Sequence, residues 1–302
     1  MVKRIPAVAL TLLLLMAGPG TGAAAAAGTP AEREGTGPAP PRVRFLDGEV
    51  SFWRSGAEDW AVAQVNTPLA AGDALYAGER ANLELEIAPG TFLRAGENTE
   101  LGFQSLEPGL QQYKVTAGHV ALDLRRLPRG LAIELDTPNG AFTVDRTGYY
   151  RVDIDGERTT FTVRRGGRAT VVPAAGEATT LDADRQVVLE GADEPRLTVG
   201  TAPEPGAWDR WNLDRSTGAD AASASARYVS PDVAGRGDLD GHGDWRDTPT
   251  YGPVWVPRAV GPQWAPYSTG RWLWDPLYGW TWVDDAPWGW APYHYGDRKS
   301  VV

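Results

Sequence analysis

Residues 251–297 contain the same aromatic pattern twice, and this repeat limits what the end of the chain can fold into. The corresponding residues, 27 positions apart, are Tyr251/Tyr278, Gly252/Gly279, Trp255/Trp282, Val256/Val283 and Ala259/Ala286. Trp264-Ala265-Pro266-Tyr267 recurs as Trp290-Ala291-Pro292-Tyr293, so one residue has been lost between the halves. A period of this length is typical of a small supersecondary unit that is used twice, each copy leaning on its neighbour to bury its apolar face.

The tryptophans of this region allow two interpretations. Eight of the 13 tryptophans lie between Trp255 and Trp290. Because the segment is rich in Pro and Gly and poor in Leu, Ile and Val, the rings are the natural material for its core. The alternative is that some rings stand exposed as flat platforms for sugars, bases or cations. The candidates for ligand contact are Trp272, Trp274, Trp280, Trp282, Trp288 and Trp290. In a strand, each of the doublets Trp272/Trp274 and Trp280/Trp282 would present both rings on one face.

The first 27 residues resemble a secretory signal peptide. Lys3 and Arg4 precede an apolar run, and alanines at residues 23–27 offer small-residue cleavage sites. An uncleaved membrane anchor is the alternative, but the apolar run is short for a bilayer span. Residues 28–41, mostly Ala, Gly, Pro, Thr and Glu, are predicted to form a disordered tail. We therefore expect a periplasmic or secreted protein with no integral membrane segment after cleavage of the signal.

Residues 42–190 alternate between apolar and polar side chains in short runs separated by turn residues. Leu83-Glu84-Leu85-Glu86-Ile87 is an example, and such runs recur about every ten residues. One apolar and one charged face predict antiparallel strands with water on the outer side, in a sandwich, a barrel or a solenoid. Asp47-Gly48 predicts a tight hairpin between residues 43–46 and 50–53. Pro89-Gly90 and Asp155-Gly156 predict further hairpin turns. Residues 113–115 and 120–124 are predicted as separate strands.

Several motifs in this region resemble those of the FecR-like periplasmic domain. They are Leu69-x-x-Gly72-Asp73, Gly90-Thr91, Gly118-x-Val120, Thr137-Pro138-Asn139-Gly140, Gly148-Tyr149-Tyr150-Arg151-Val152 and Phe161-x-Val163 followed by Gly167. The resemblance covers residues 43–190. It implies a β-rich domain outside the inner membrane, and in the family's best-known members this domain relays a signal to a sigma-factor regulator.

The rest of the chain divides by composition. Residues 191–226 are rich in Pro, Gly, Ala, Ser and Asp, which predicts a linker, with a short helix at residues 205–215. Residues 227–297 form the predicted tandem-repeat domain rich in Trp, Pro and Gly. The segments Tyr251 to Pro257 and Trp282 to Gly289 resemble an uncharacterised tryptophan-rich domain that often follows FecR-like domains in exported proteobacterial proteins. That resemblance implies no activity.

Composition excludes several kinds of chemistry. The chain has no cysteine, which excludes disulfides, thiol catalysis and cysteine-bound zinc. A formal net charge of −10 argues against a nucleic acid as the partner. The three histidines lie far apart, with no spacing typical of a zinc site. The sequence therefore indicates no cofactor and no metal.

Two groups of carboxylates are candidate sites. Asp238, Asp240 and Asp244 lie on a Gly-rich stretch that suits a calcium loop, but the bidentate Glu of such loops is missing. Asp284 and Asp285 would point to opposite faces of a strand, so they cannot form the facing pair of a glycosidase and are predicted to cap a turn. No catalytic motif is found, and the prediction is that the protein is not an enzyme.

The leading hypothesis is a non-enzymatic, exported envelope protein that acts as a binding or assembly module. Its partner would be an envelope protein or a cell-wall glycan. One alternative is a FecR-like accessory that signals to a membrane partner. Another is a glycan-binding module that uses exposed tryptophan rings.

Overall fold

The computed structural model describes residues 39–191, 193–220 and 223–295. The predicted signal peptide, residues 1–27, and most of the predicted tail, residues 28–41, lie outside the described residues. Within the described part, no helix is both long and apolar enough to cross a membrane. The described residues belong to one compact unit.

Sixteen of the described strands form one connected sheet system. They are β1 (Arg42–Asp47), β2 (Val50–Trp53), β3 (Ala61–Val62), β4 (Ala74–Ala77), β5 (Asn82–Ala88), β6 (Thr91–Ala95), β7 (Thr99–Glu107), β8 (Leu110–Leu124), β9 (Ala132–Thr137), β10 (Gly140–Val144), β11 (Gly148–Asp155), β12 (Arg158–Arg164), β13 (Arg168–Pro173), β14 (Thr179–Asp182), β15 (Arg185–Glu190) and β16 (Arg196–Thr201).

The strands form two sheets that share β8. Sheet A has the order β1-β5-β6-β8-β11-β12-β15-β16, and sheet B has the order β3-β2-β4-β7-β8-β9-β10-β13-β14. Among the described strands every pairing is antiparallel except β8 with β9. The sheets face each other, since Phe142 of sheet B stacks on Phe161 of sheet A with ring centroids 4.3 Å apart. The predicted mainly β, antiparallel fold is confirmed, and the described strands do not close into a barrel.

The shared strand corrects one prediction. Residues 113–115 and 120–124 are not two strands, because β8 runs without a break from Leu110 to Leu124. Gly118 has a φ of +79°, and a Cβ there would collide with Thr99. Only glycine fits this close approach, and its backbone lets β8 pass from sheet B to sheet A.

The Asp47-Gly48 turn corrects a second prediction, the hairpin between residues 43–46 and 50–53. Gly48 does adopt a positive φ of +82°, but the strands on either side do not pair. β1 pairs with β5 in sheet A, whereas β2 pairs with β3 and β4 in sheet B. The turn therefore carries the chain from one sheet to the other. The predicted hairpins at Pro89-Gly90 and Asp155-Gly156 are confirmed.

Asn139, in the turn Thr137-Pro138-Asn139-Gly140, has a clear structural role. The Asn139 side chain is buried, and its Nδ2 donates to the carbonyl oxygens of Glu157, at 2.9 Å, and Gly191, at 2.7 Å. Its Oδ1 accepts a hydrogen bond from Thr159 Oγ1 at 2.6 Å. A single amide thus fixes two turns and one strand, which accounts for an asparagine at this position.

After β16 the chain is mostly helical before the aromatic repeat begins. The elements are α1 (Ala207–Asp220), a 3-10 helix (Ala224–Arg227), α2 (Arg236–His242), the hairpin β17 (Gly243–Thr248) with β18 (Gly252–Pro257), the hairpin β19 (Gly270–Asp275) with β20 (Gly279–Asp284), and α3 (Trp290–Tyr295). Part of the region predicted as a linker is therefore built into the fold: β16 pairs with β15, and α1 packs on the outer face of sheet A.

The sequence pattern predicted that the charged face of the strands contacts water. In β5 and β6 of sheet A this face is buried instead. Glu84 and Arg94 are fully buried there, and Glu86 nearly so, because α1 and α2 cover them. Alternation of Leu and Glu in β5 correctly gives the two faces of the strand. It does not show that a later part of the chain covers the polar face.

Candidate functional site

The two aromatic hairpins place corresponding residues in corresponding positions. Trp245 is paired with Trp255 in the first hairpin, and Trp272 with Trp282 in the second. The glycine that begins each hairpin, Gly243 or Gly270, lies against the ring of Trp255 or Trp282, leaving no room for a Cβ. The same glycine and indole packing is thus built twice.

Several repeat rings form an aromatic core between the hairpins. Trp288 lies 5.1 Å from Trp255 and 5.9 Å from Trp264, measured between ring centroids. Tyr293 connects Trp288, at 6.3 Å, with Trp282, at 6.5 Å. Edge-to-face and tilted contacts of this kind stabilise aromatic clusters beyond the area that they bury. This region therefore uses indole and phenol rings where other domains use aliphatic side chains.

Three of the six predicted contact residues belong to this buried material. Trp282, Trp288 and Trp290 have exposed fractions of 7, 6 and 1%. The core interpretation therefore applies to these three rings, and their burial leaves little ring surface for a ligand. Trp282 and Trp288 are enclosed by the aromatic core, and Trp290 faces sheet A, where the Arg42 guanidinium lies 5.6 Å from its ring centroid.

The other three predicted residues are exposed together. Trp272, Trp274 and Trp280 have exposed fractions of 57, 51 and 65%. Trp274 meets Trp280 edge to face across the hairpin at 5.5 Å, and Trp272 meets the buried Trp282 in the same way at 5.4 Å. We call the surface of Trp272, Trp274 and Trp280 the indole face.

The turn of the same hairpin adds further exposed apolar groups. Leu277 and Tyr278 lie there with exposed fractions of 70 and 40%. Asp275 shapes the turn, because its Oδ1 accepts hydrogen bonds from the backbone N–H groups of Leu277, at 2.9 Å, and Tyr278, at 3.0 Å. An aspartate that binds the backbone two and three residues ahead is a standard way to hold a tight turn.

The hairpin that carries the indole face is fastened to the β-sheet system. Arg54, just after β2, donates from Nη1 to the carbonyl oxygen of Trp274 at 2.7 Å. Asn66 donates from Nδ2 to the carbonyl oxygens of Asp284, at 3.0 Å, and Ala286, at 2.8 Å. These bonds hold both strands of the hairpin, so the exposed rings stand on a fixed support.

A buried ionic network connects the sheet to the segments that follow it, and no sequence motif predicted it. Arg42, fully buried in β1, donates to Glu86 Oε2 at 2.6 Å, Asn66 Oδ1 at 2.9 Å and Asp238 Oδ2 at 2.5 Å. Glu86 Oε2 also accepts from the backbone N–H of Gly235 at 2.9 Å. One arginine therefore ties β1 to β5, α2 and the loop that holds the hairpin.

Glu84 is the centre of the second half of this network. It binds Arg94 at 2.5 Å, Arg44 at 2.7 Å and Arg215 of α1 at 3.2 Å. Burial by itself would raise the pKa of Glu84, but the arginines outweigh that effect and lower it to about 2. Arg94 also donates to Ser216 Oγ of α1 at 2.7 Å. Buried charges are tolerated here because each has several partners.

Asp238, Asp240 and Asp244, the candidate calcium ligands, form hydrogen bonds or ion pairs with other residues. Asp238 binds Arg42 and Arg44, Asp240 accepts from Ser225, and Asp244 lies 3.4 Å from Arg258. Among the described residues no group of three or more metal-binding side chains comes together.

Asp284 has the turn-capping role that was predicted for the Asp284-Asp285 pair. Its Oδ1 accepts from the Ala286 N–H at 2.9 Å, and its Oδ2 accepts from Trp282 Nε1 at 3.1 Å. Burial raises the pKa of the Asp284 carboxyl, which these hydrogen bonds offset only in part. Asp285 is largely exposed, so the two carboxylates do not form a facing pair.

One family model matches the C-terminal part of the chain. A model described as a family of unknown function, DUF6600, matches residues 236–301, from the start of α2 through both hairpins. No curated protein matches the chain.

Solved structures give weak similarities. Two crystal structures of a "putative anti-sigma factor" from Parabacteroides distasonis ATCC 8503 are 12 and 13% identical to this chain, each with a TM-score of 0.37. The similarity covers 43% of this chain and 59% of the other, so this chain spans little more than half the length of those proteins. A similarity of this size carries no conclusion about function.

Proposed function

We propose that this chain is a non-enzymatic binding or assembly module of the bacterial cell envelope, exported to the periplasm or beyond. One observation carries the proposal. Three neighbouring indole side chains, each more than half exposed, lie on a hairpin that Arg54 and Asn66 fasten to the β-sheet system by hydrogen bonds. The export part rests on the signal-like sequence of residues 1–27 and on the absence of cysteine from the chain.

The physical argument starts from the cost of exposing large rings. A neighbouring group of exposed apolar side chains favours aggregation unless a partner covers it, and groups of this kind commonly mark interaction sites. Tryptophan is also enriched among the residues that dominate binding energy. Because Arg54 and Asn66 hold the hairpin, little conformational entropy is lost when a partner covers the rings.

A cell-wall glycan is the second candidate partner. Trp272 and Trp274 lie on one face of β19, and Trp280 lies opposite Trp274 on β20. Each exposed ring offers a flat apolar surface against which a sugar ring can pack. The signalling alternative is supported only by the FecR-like motifs of residues 43–190. Transcript profiling after deletion of the gene would separate it from the other two.

The test is a binding assay with purified protein that lacks residues 1–27. Sedimentation with insoluble peptidoglycan and with isolated envelope fractions would be compared for the wild type and for a variant with Trp272, Trp274 and Trp280 all replaced by Ser. We expect the triple variant to lose binding while its circular dichroism spectrum stays unchanged.

A matched control is available in the first hairpin. Tyr251 is 58% exposed and occupies the position that corresponds to Tyr278, but it lies outside the indole face. Tyr251→Ala should bind as the wild type does. Equal binding by the wild type and the triple variant, or binding by neither, would contradict the proposal. Pull-down by peptidoglycan alone would identify the glycan as the partner.

A further inference from the structure

The outer surface of sheet B carries a second aromatic site near its β3 edge. A cavity of about 360 Å³ is lined there by Ser51, Trp60, Tyr76 and Glu100. The cavity is distinct from the indole face, with which it shares no residue. None of its residues belongs to the motifs that stood out in the sequence.

Strand register explains how the cavity forms. Ser51 of β2, Tyr76 of β4 and Glu100 of β7 are direct neighbours in one row across sheet B. Trp60 precedes β3, which pairs with β2 at the edge of the sheet. The small Ser51 side chain leaves space between the Trp60 and Tyr76 rings. The rings remain 49 and 42% exposed, so their surfaces are accessible to a ligand.

The charge of the site is negative. Thr116 Oγ1 donates to Glu100 Oε2 at 2.6 Å, which holds the carboxylate at the cavity wall. Glu58 and Asp59, directly before Trp60, are both exposed. Arg54, three residues after Ser51, does not neutralise the site, because its side chain binds Asp73 and the carbonyl oxygens of Pro68 and Trp274.

Lys114 also lies on this side of sheet B. Lys114 is exposed on β8 and pairs in register with Gly102, two residues along β7 from Glu100. Glu100 accepts its hydrogen bond from Thr116 and forms no ion pair with Lys114, although the structure describes both residues. The cavity thus combines two open aromatic rings with a carboxylate.

We propose that this cavity binds an organic ammonium cation, either a quaternary ammonium headgroup or the side chain of a lysine. Aromatic ring faces attract such cations, and indole does so most strongly. A carboxylate at the wall adds Coulombic attraction, while the Ser51 hydroxyl can accept a hydrogen bond from a primary ammonium. A neutral ligand of the same shape would gain only the apolar contact.

The experiment compares a cation with its uncharged isostere. Choline, Nα-acetyl-lysine amide and 3,3-dimethylbutan-1-ol, in which a carbon replaces the choline nitrogen, would each be titrated into the purified protein lacking residues 1–27. Chemical shifts of the indole N–H groups would be followed by NMR. We expect saturable binding of at least one cation and little or none of the neutral alcohol. The preferred cation tells whether the group comes from a quaternary headgroup or from a lysine.

Variants locate the binding. Trp60→Leu and Tyr76→Leu should each weaken the cation affinity by about two- to fivefold, the range for an exposed cation–π contact. Glu100→Gln keeps the shape of an accessible side chain and should weaken it by a similar factor, so the test survives if a ring variant fails to fold. Trp280→Ala, on the indole face, should leave the affinity unchanged.

Three outcomes would overturn the inference. They are equal binding of choline and the neutral alcohol, cation binding that Glu100→Gln and Trp60→Leu leave intact, and absence of binding by both cations. None of them bears on the indole face, whose test uses different residues and different partners.

Discussion

At the scale of single residues, the fold depends on a few polar side chains buried with several partners each. Glu84 holds three arginines, Arg42 connects three separate segments, and Asn139 fixes two turns. Such groups contribute little net stability compared with apolar replacements, but removing one partner leaves the others unpaired in a dry environment. Point substitutions at these positions are therefore informative.

Glu84→Gln should destabilise the protein in a way that depends on pH. The folded-state pKa of about 2 lies below the ordinary value of 4.5, so the stabilisation by the Glu84 carboxylate is present above pH 4.5 and is lost as the pH falls toward 2. The shift corresponds to about 3 kcal/mol. Urea unfolding at several pH values should show a stability difference between wild type and variant that is largest near pH 7 and shrinks below pH 4.

Taking the stability difference between the wild type and Glu84→Gln removes the contributions of other groups that titrate in both proteins. Burial lowers the pKa values of His119 and His294, so both proteins lose stability as the pH falls below about 6.5. Burial raises the pKa values of Asp73 and Asp284, which acts in the opposite sense in both proteins. A stability difference that stays constant from pH 7 to pH 3 would contradict the role given to Glu84.

Asn139→Asp tests the buried amide that joins two turns to one strand. The carboxylate keeps an acceptor for Thr159 but loses both donors, and it would face the carbonyl oxygens of Glu157 and Gly191. We expect a loss of about 3 kcal/mol in the free energy of unfolding, the cost of leaving buried acceptors unpaired. Thermal unfolding measures it, and a variant as stable as the wild type would show that the two carbonyl groups find water instead.

At the scale of secondary-structure elements, the hairpins divide their tryptophans between a core and a surface. Trp290→Ala should cost about 3–5 kcal/mol, because it leaves a large cavity beneath Arg42. Trp280→Ala should cost about 1 kcal/mol, mainly the edge-to-face contact with Trp274. Chemical denaturation of both variants distinguishes the two roles, and equal losses would mean that the indole face is part of the core.

The sequence predicted these elements better than it predicted their surroundings. Alternation in β5 and the turn at Pro89-Gly90 identified strands correctly, because both signals are local. The same alternation could not show that α1 and α2 cover Glu84 and Glu86, since that depends on residues more than a hundred positions away. Likewise, both interpretations of the tryptophans were available from composition. Trp280 and Trp282 lie two residues apart on one strand, and only the three-dimensional structure shows that the first is exposed and the second buried.

At the scale of the whole molecule, the β-sheet system and the C-terminal segments are expected to unfold together. Arg42, Arg94 and Glu84 are covered by α1, α2 and α3 and would become exposed or unpaired without them. A protein ending at residue 203, after β16, should therefore have a lower midpoint of thermal unfolding than one containing residues 39–302. Calorimetry of the longer protein should show a single transition, and two separate transitions would contradict this view.

The shared strand β8 also bears on how the chain folds. It pairs with β6 and β11 in sheet A and with β7 and β9 in sheet B, so neither sheet is complete without it. Its partners in β6, β9 and β11 lie 22–36 residues away in sequence, and such contacts form more slowly than the hairpin with β7 because a longer loop must close first. A chain that is free to fold only as far as β7 would lack the central strand of both layers, and it would keep two sets of unpaired strand edges open to association until β8 joins them.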